Sequence, residues 1–258
     1  MSRTVLITGG ASGIGAATAR LLARRGWSVA VNFRSRADAA AELVAELRAA
    51  GAAAEAFRAD MCEPAEIEAL FAAVDRRFGR LDGLVNSAGI GLPAARVAAF
   101  DAAGLQRLMA VNVVGVMLCC REAARRMSTA SGGTGGVVVT IGSMAGTIGG
   151  RPGNSHYAAS KAALDSFGAG FAKEVAREGI RVVTVRPGVI RTDMTRAGLA
   201  DPHHAATIAA SIPMGRPGTV DEAAAPIAWL MSDEASFVTG CTLDISGGGF
   251  HIASAPAP

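Results

Sequence analysis

The 258 residues suit one large domain, or at most two small ones, and a chain that is 50% hydrophobic can bury a sizeable core. The formal net charge of +3 is spread over short pairs such as Arg24-Arg25, Arg76-Arg77 and Arg125-Arg126. Pairs of that kind read as solvated helix faces, so a nucleic-acid partner is excluded.

Short apolar runs alternate with longer helical ones along the whole chain. Residues 4–8 predict a strand. Residues 14–25 predict a helix with Ile14, Ala17, Leu21 and Leu22 on one face. A strand over 29–33, a helix over 37–50 closed by Gly51, a strand over 54–58, a helix over 65–78 and a strand over 84–86 follow. A long helical stretch covers 101–127, and the glycine-rich loop 128–136 leads into a valine-rich strand over 136–141. The last elements are a helix over 156–178, a strand over 181–185, a helix over 220–231 and a short strand over 242–245, before a tail, 253–258, expected to fray. Strict alternation of this kind predicts an α/β fold, a parallel sheet with helices on both faces. The strands are continuous apolar runs, as expected where both faces are covered. No linker or solenoid-length repeat divides the chain.

The run Thr8-Gly9-Gly10-Ala11-Ser12-Gly13-Ile14-Gly15 lies between the first strand and the first helix. Glycines there permit unusual backbone angles and let a phosphate approach the main chain. The helix that follows offers free N–H groups and the positive end of its dipole. Further along, Tyr157 is the sole tyrosine and Lys161 lies four residues beyond it, on the same face of a helix. A free phenol, with a pKa of about 10, is a poor base at neutral pH. A neighbouring ammonium is expected to lower it towards the working range. A hydroxyl at Ser143, just after the fifth strand, could hold and polarise a substrate oxygen.

The glycine spacing T-G-x-x-x-G-x-G, the element Asn86-Ser87-Ala88-Gly89, Asn112 in the long helix, Ser143, Tyr157-Ala158-Ala159-Ser160-Lys161 and Pro187-Gly188 together resemble the short-chain dehydrogenase/reductase family. The resemblance spans about residues 4 to 250. It implies a Rossmann-type doubly wound parallel sheet of about seven strands, forming a single NAD(P)-binding catalytic domain over 1–258 with a substrate lid near 190–215. It implies a catalytic set of Asn112, Ser143, Tyr157 and Lys161, in which Lys161 also holds the nicotinamide ribose and Asn112 anchors a proton-relaying water. It further implies cofactor contacts from Gly9, Ser12, Gly13, Ile14 and Gly15, from Asn86, Ala88 and Gly89, and from Pro187, Gly188, Val189, Ile190 and Thr192. The last group would seat the carboxamide. Asp60 resembles the adenine-contacting aspartate, with Met61 beside it; its alternative role is a helix cap ahead of Pro64.

The end of the second strand reads Val31-Asn32-Phe33-Arg34-Ser35-Arg36. Phe33 stands where NAD-preferring relatives carry an acid. Arg34, Ser35 and Arg36 could grip a 2′-phosphate instead. The expected cofactor is therefore NADP(H), with NAD(H) also possible.

Segments 144–154 and 194–213 are mainly apolar and suggest a neutral carbonyl or alcohol substrate. Within the family the nearest-looking groups are 3-oxoacyl-carrier-protein reductases, whose docking patch could include Arg125 and Arg126, and glucose-1-dehydrogenase-like sugar enzymes. Two other classes are considered. A nucleotide-sugar epimerase or dehydratase needs a larger C-terminal region, and a non-catalytic NADP(H) sensor predicts loss of the serine, tyrosine or lysine.

Metal binding is not expected, since His203-His204 lacks ligand spacing and Cys62, Cys119, Cys120 and Cys241 form no C-x-x-C pair. Those cysteines fit a reducing compartment. The N-terminus leads at once into a strand and no uninterrupted apolar stretch of membrane length is evident, so a cytoplasmic protein without a membrane partner is expected. Apolar faces on the helices over 101–127 and 156–178, with the segment 238–249, lead to the expectation of a homotetramer.

Overall fold

The computed structural model describes residues 2–249. The tail 253–258, expected to fray, lies outside the described residues. The elements run in chain order as β1 (Thr4–Thr8), α1 (Gly13–Arg24), β2 (Ser28–Phe33), α2 (Ala37–Ala49), β3 (Ala54–Arg58), α3 (Pro64–Phe78) and β4 (Gly83–Asn86). After them come α4 (Ala102–Met109), α5 (Gly115–Met127), β5 (Gly136–Ile141), α6 (Ala145–Ile148) and α7 (Ser155–Val175). The chain closes with β6 (Ile180–Pro187), α8 (Asp193–Ala200), α9 (Pro202–Ala210), α10 (Val220–Leu230) and β7 (Thr242–Ile245).

All seven strands pair in parallel, in the order β3-β2-β1-β4-β5-β6-β7. This is the doubly wound Rossmann-type sheet. Its order reverses between β1 and β4, and that reversal opens a crevice at the carboxyl ends of the strands. Successive strand side chains face opposite ways, so β1 feeds two cores. Val5 and Ile7 pack with Leu22, Leu43 and Ile227 on one face, and Leu6 packs with Phe71, Val116 and Leu164 on the other.

Local chemistry sets the element ends. Pro64 opens α3 with a preset φ, and Gly79 closes it in the left-handed region at φ 73°. Thr219 and Glu222 cap α10 reciprocally. The stretch read as one helix over 101–127 is interrupted: Ala110–Val114 forms a π-helical turn between α4 and α5. A Cβ at Gly115 would lie 2.2 Å from the Met61 carbonyl oxygen, so the helix meets the main chain of the β3–α3 connection more closely than any other residue allows. Two short helices, α8 and α9, fill the segment 193–210, where only a lid without assigned structure was expected.

One expectation needs correction. The helical run Ala102–Met127 is long and apolar enough to cross a membrane, by length and composition alone. Its Val111, Val116, Cys119, Cys120 and Ala123 are instead packed into the core beneath the sheet.

Candidate active site

The glycine turn is built by close approaches. Gly9 (φ 61°) and Gly13 (φ 54°) lie in the left-handed region. A Cβ at Gly9 would come within 2.8 Å of Ala88 Cα, and one at Gly15 within 2.7 Å of the Gly9 carbonyl oxygen. Thr8 Oγ1 accepts from the amides of Ser87 (3.1 Å) and Ala88 (3.2 Å), which ties the β1 turn to the β4 turn. Asn32, buried in β2, receives the Gly9 amide on its side-chain oxygen at 3.2 Å and donates to Ala59 and Phe57 carbonyls at 3.1 and 3.3 Å. Sequence reasoning missed Asn32. Its signal is an amide in an otherwise apolar strand.

The N-terminus of α1 is chemically ready for an anion. Ser12 at its N-cap makes no side-chain capping bond, and the first turn carries no acid. Its leading N–H groups and positive dipole end therefore meet no competing carboxylate within the helix.

At the end of β2, Phe33 is partly buried and Arg34, Ser35 and Arg36 are exposed. Arg34 Nη1 lies 3.9 Å from Asp60, whose nearer partner is Arg107 at 2.8 Å. Burial pushes the Asp60 carboxyl up, but the Cys62 amide and the Arg107 guanidinium hold it below its usual range. Asp60 bonds the Cys62 amide, and the N-cap of α3 is Glu63, so Asp60 is not that helix's cap. Met61 beside it is buried. Asn86 is buried too, and its amide donates to Thr140 Oγ1 at 3.3 Å and Cys120 Sγ at 3.4 Å.

Ser143, Tyr157, Lys161 and Asn112 come together where β5 and α7 meet the β4 turn. The Tyr157 phenol lies near the Ser143 hydroxyl, whose Oγ accepts the Ala145 amide at 3.1 Å. Lys161 is buried, 5% exposed, and its Nζ donates to the Ile141 carbonyl at 2.8 Å, 5.8 Å from the Tyr157 ring centre. Lys161 Nζ and Asn112 Oδ1 both approach Gly89, where a Cβ would lie 3.4 and 3.5 Å from them, within ordinary contact. Burial lowers the Lys161 ammonium to about 8, against a smaller upward pull from Asp165.

One expectation differs from this geometry. The lysine was expected to lower the tyrosine. Burial instead pushes the Tyr157 phenol up, and the nearby Ser143 hydroxyl offsets it only in part. Asn112, expected to anchor a relaying water, has its side chain held by protein groups. Its oxygen accepts the Ile90 amide at 2.8 Å, and its nitrogen donates to the Ile90 carbonyl at 2.9 Å and Ser160 Oγ at 3.1 Å. Ser160, which sequence reasoning gave no role, passes the link on to the Tyr157 carbonyl at 2.7 Å. Asn112 thus fixes the β4 turn to the first turns of α7. Removing it would leave the partly buried Ile90 amide and carbonyl without these partners and take one bond from the buried Ser160 hydroxyl.

Past β6, Gly188 donates its amide to Ile245 and packs against Ser246, which a Cβ would meet at 3.0 Å. The Val189 carbonyl accepts the Gly218 amide at 2.9 Å, and the Ile190 carbonyl accepts Thr195 Oγ1 at 2.7 Å. Thr192 is the N-cap of α8 and lies against the glycine turn; a Cβ at Gly13 would be 3.5 Å from its methyl group.

A family model described as enoyl-(acyl carrier protein) reductase matches residues 9–251, nearly the whole chain. A short chain dehydrogenase from Burkholderia cenocepacia J2315, solved in complex with NADP, has a TM-score of 0.87 at 34% identity, covering 96% of this chain and 97% of that one. The chain belongs to the short-chain dehydrogenase/reductase family. Similar members include an uncharacterized oxidoreductase, YgfF, of Escherichia coli K12, 42% identical over 94% of this chain and 98% of that protein. A cis-4-hydroxycyclohexanecarboxylate dehydrogenase of Sinomonas cyclohexanicum is 39% identical over 95% and 96%. As a member of this family, the chain is an NAD(P)-dependent oxidoreductase acting between CH–OH and C=O.

Proposed function

We propose that this short-chain dehydrogenase/reductase prefers NADP(H) and interconverts a small, neutral carbonyl compound and its secondary alcohol, with Tyr157 as the acid/base. The observation that carries the reading is the convergence of Ser143, Tyr157 and Lys161, with the buried Lys161 Nζ 5.8 Å from the Tyr157 ring centre. Bound NADP(H) supplies or accepts the hydride.

The residues of this chain do the rest. Gly9, Gly13, Gly15, Ser12 and Ile14 cradle the pyrophosphate at the α1 terminus. Arg34 and Ser35 hold the 2′-phosphate, and Asp60 and Met61 border the adenine. Ala88 and Gly89 line the crevice, with Asn86 holding that turn against β5 from behind. Beyond β6, Pro187 and Gly188 bring the chain into place. The Val189 and Ile190 amides and the Thr192 hydroxyl fix the carboxamide. Ser143 Oγ donates to the substrate oxygen, and the Tyr157 hydroxyl gives that oxygen its proton during reduction. The upward-shifted phenol is protonated at neutral pH, the form reduction requires. Lys161 resupplies the proton and holds the ribose. Both Asn112 amide protons are engaged, so a relay water at residue 112 would donate to its main-chain carbonyl or to the second lone pair of Oδ1.

The segment 190–215, with α8 and α9, is the substrate lid on the single catalytic domain. Ile148 and Met194 expose apolar side chains beside the crevice, which supports a neutral substrate. Arg125 and Arg126 bond Glu122 at 2.9 and 2.7 Å, and Arg126 also bonds Asp75 at 2.8 Å. Arginines so neutralised are a poor dock for an acidic carrier protein, which favours a free small molecule over a carrier-bound one. Exposed Met109, Val114 and Met117 on the α4–α5 face, and Phe237 before β7, support a homotetramer. We place the protein in the cytoplasm, with small-molecule partners only.

The test is loss of NADPH or NADH absorbance against diketones, cyclic and aromatic ketones, and acetoacetyl thioesters, with cyclic alcohols and sugars run in reverse. Faster turnover with NADPH on a neutral ketone supports the reading. Turnover of thioesters alone, or faster turnover with NADH, overturns it. Phe33→Asp should move the NADPH/NADH ratio of kcat/KM towards NADH by about 10- to 100-fold, because a carboxylate there repels the 2′-phosphate and accepts the ribose hydroxyls. An unchanged ratio would remove the β2 terminus from cofactor choice.

A further inference from the structure

Arg36 leaves the end of β2 and forms an ion pair with Asp193, the first residue of α8, 157 positions away. Asp193 has a second partner, Arg196, one turn further along α8. The pair lines a cavity of about 740 Å³ together with Ser12, Gly13 and Thr192. The loop assigned to the 2′-phosphate and the helix assigned to the lid are therefore joined by a guanidinium–carboxylate contact in the same cavity as the glycine turn. The Arg36 and Asp193 side chains are 52% and 34% exposed, so the contact is a weak, exchangeable one.

We propose that Arg36 and Asp193 are the residues through which this enzyme couples the choice of dinucleotide to the position of its lid: the 2′-phosphate takes Arg36 from Asp193 and frees α8. The proposal rests on the NADP(H) reading above. Its chemistry is an exchange of partners. A phosphate offers a guanidinium up to two negative charges and three acceptor oxygens, where Asp193 offers one charge and two oxygens. Asp193 keeps Arg196, so losing Arg36 leaves no unpaired carboxylate, and the exchange costs little. A cofactor without the 2′-phosphate offers Arg36 no rival, and α8 stays tied. The Asp193 carboxyl is held below its usual range by Arg36 first and by Arg196, so it remains a full anion at neutral pH.

The test uses two ligands that lack nicotinamide and so cannot reach the carboxamide site themselves: adenosine 2′,5′-bisphosphate and 5′-AMP. Amide hydrogen exchange is followed over residues 193–200 at equal saturation, in the whole enzyme and in Asp193→Asn. The bisphosphate should speed exchange in α8 by about threefold, the worth of an exposed ion pair. AMP should leave it unchanged. Asp193→Asn should show the faster exchange without ligand and no further rise, and should bind the bisphosphate about threefold more tightly while binding AMP as before. Tighter binding of the bisphosphate than of AMP with identical α8 exchange would overturn the coupling and leave the NADP(H) reading standing. Equal binding of both ligands would overturn the NADP(H) reading, and the coupling with it.

Discussion

Tyr157→Phe is expected to lower kcat for carbonyl reduction by about 10²- to 10⁴-fold, the usual worth of a positioned general acid. NADPH affinity should stay within about twofold, because the lost atom is a hydroxyl that faces Ser143 and not the glycine turn. The variant keeps the ring, and the bond from Ser160 Oγ to the residue 157 carbonyl is independent of the hydroxyl, so the start of α7 stays in place. Melting temperature and fluorescence titration of NADPH check that the protein is intact. Activity near wild type in an intact variant would take the acid/base role from Tyr157. In the wild type, alcohol oxidation should rise with pH through the neutral range, since the raised phenol must first lose its proton. Reduction should stay level over the same range, because the phenol remains protonated there.

Lys161→Met is expected to make the protein more stable and nearly inactive. The folded protein holds the Lys161 ammonium in a buried site that lowers it to about 8 from an ordinary 10.5. Between those values the unfolded chain binds the proton more readily than the folded one, so stability contributed by this group rises with pH across that window. Below pH 8 the cost of burying the charge is present in full. Methionine fills the same space without the charge, at the loss of one bond to the Ile141 carbonyl. A net gain of about 1 kcal/mol at pH 7 would raise Tm by about 2–4 °C in a domain of this size. The advantage should shrink as pH climbs from 8 to 10. Turnover should fall by about 10²-fold or more, because proton resupply and the ribose contact go together. A variant that melts lower at pH 7, or keeps its turnover, would contradict this account of Lys161.

Much of the fold was readable because its determinants are local. The apolar runs of β1, β2 and β5 and the caps of α3 and α10 sit within a few residues of one another. The glycine turn was readable for the same reason: left-handed φ values at Gly9 and Gly13 leave a mark in composition. What escaped depends on contacts far apart in the chain. The π turn at Ala110–Val114 answers to the approach of Gly115 to the Met61 carbonyl, which no periodicity reports. The link from Ile90 through Asn112 and Ser160 to Tyr157 joins three distant segments. Helices α8 and α9 have only eight and nine residues, too few for a clear apolar stripe. The direction of the Tyr157 shift was misjudged because spacing shows a lysine four residues away. It does not show that burial surrounds the phenol or that Lys161 Nζ is turned to Ile141.

The most direct test of the central claim is transfer of label from cofactor to product. Wild-type enzyme would be given NADPH carrying deuterium at nicotinamide C4, in separate batches labelled on each face, with the best ketone from the panel. The alcohol product would then be weighed by mass spectrometry. The account predicts one deuterium on the carbinol carbon from one of the two labelled cofactors and none from the other, a pattern lost in Tyr157→Phe because turnover is lost. Alcohol formed without deuterium from either cofactor would contradict hydride transfer at this site.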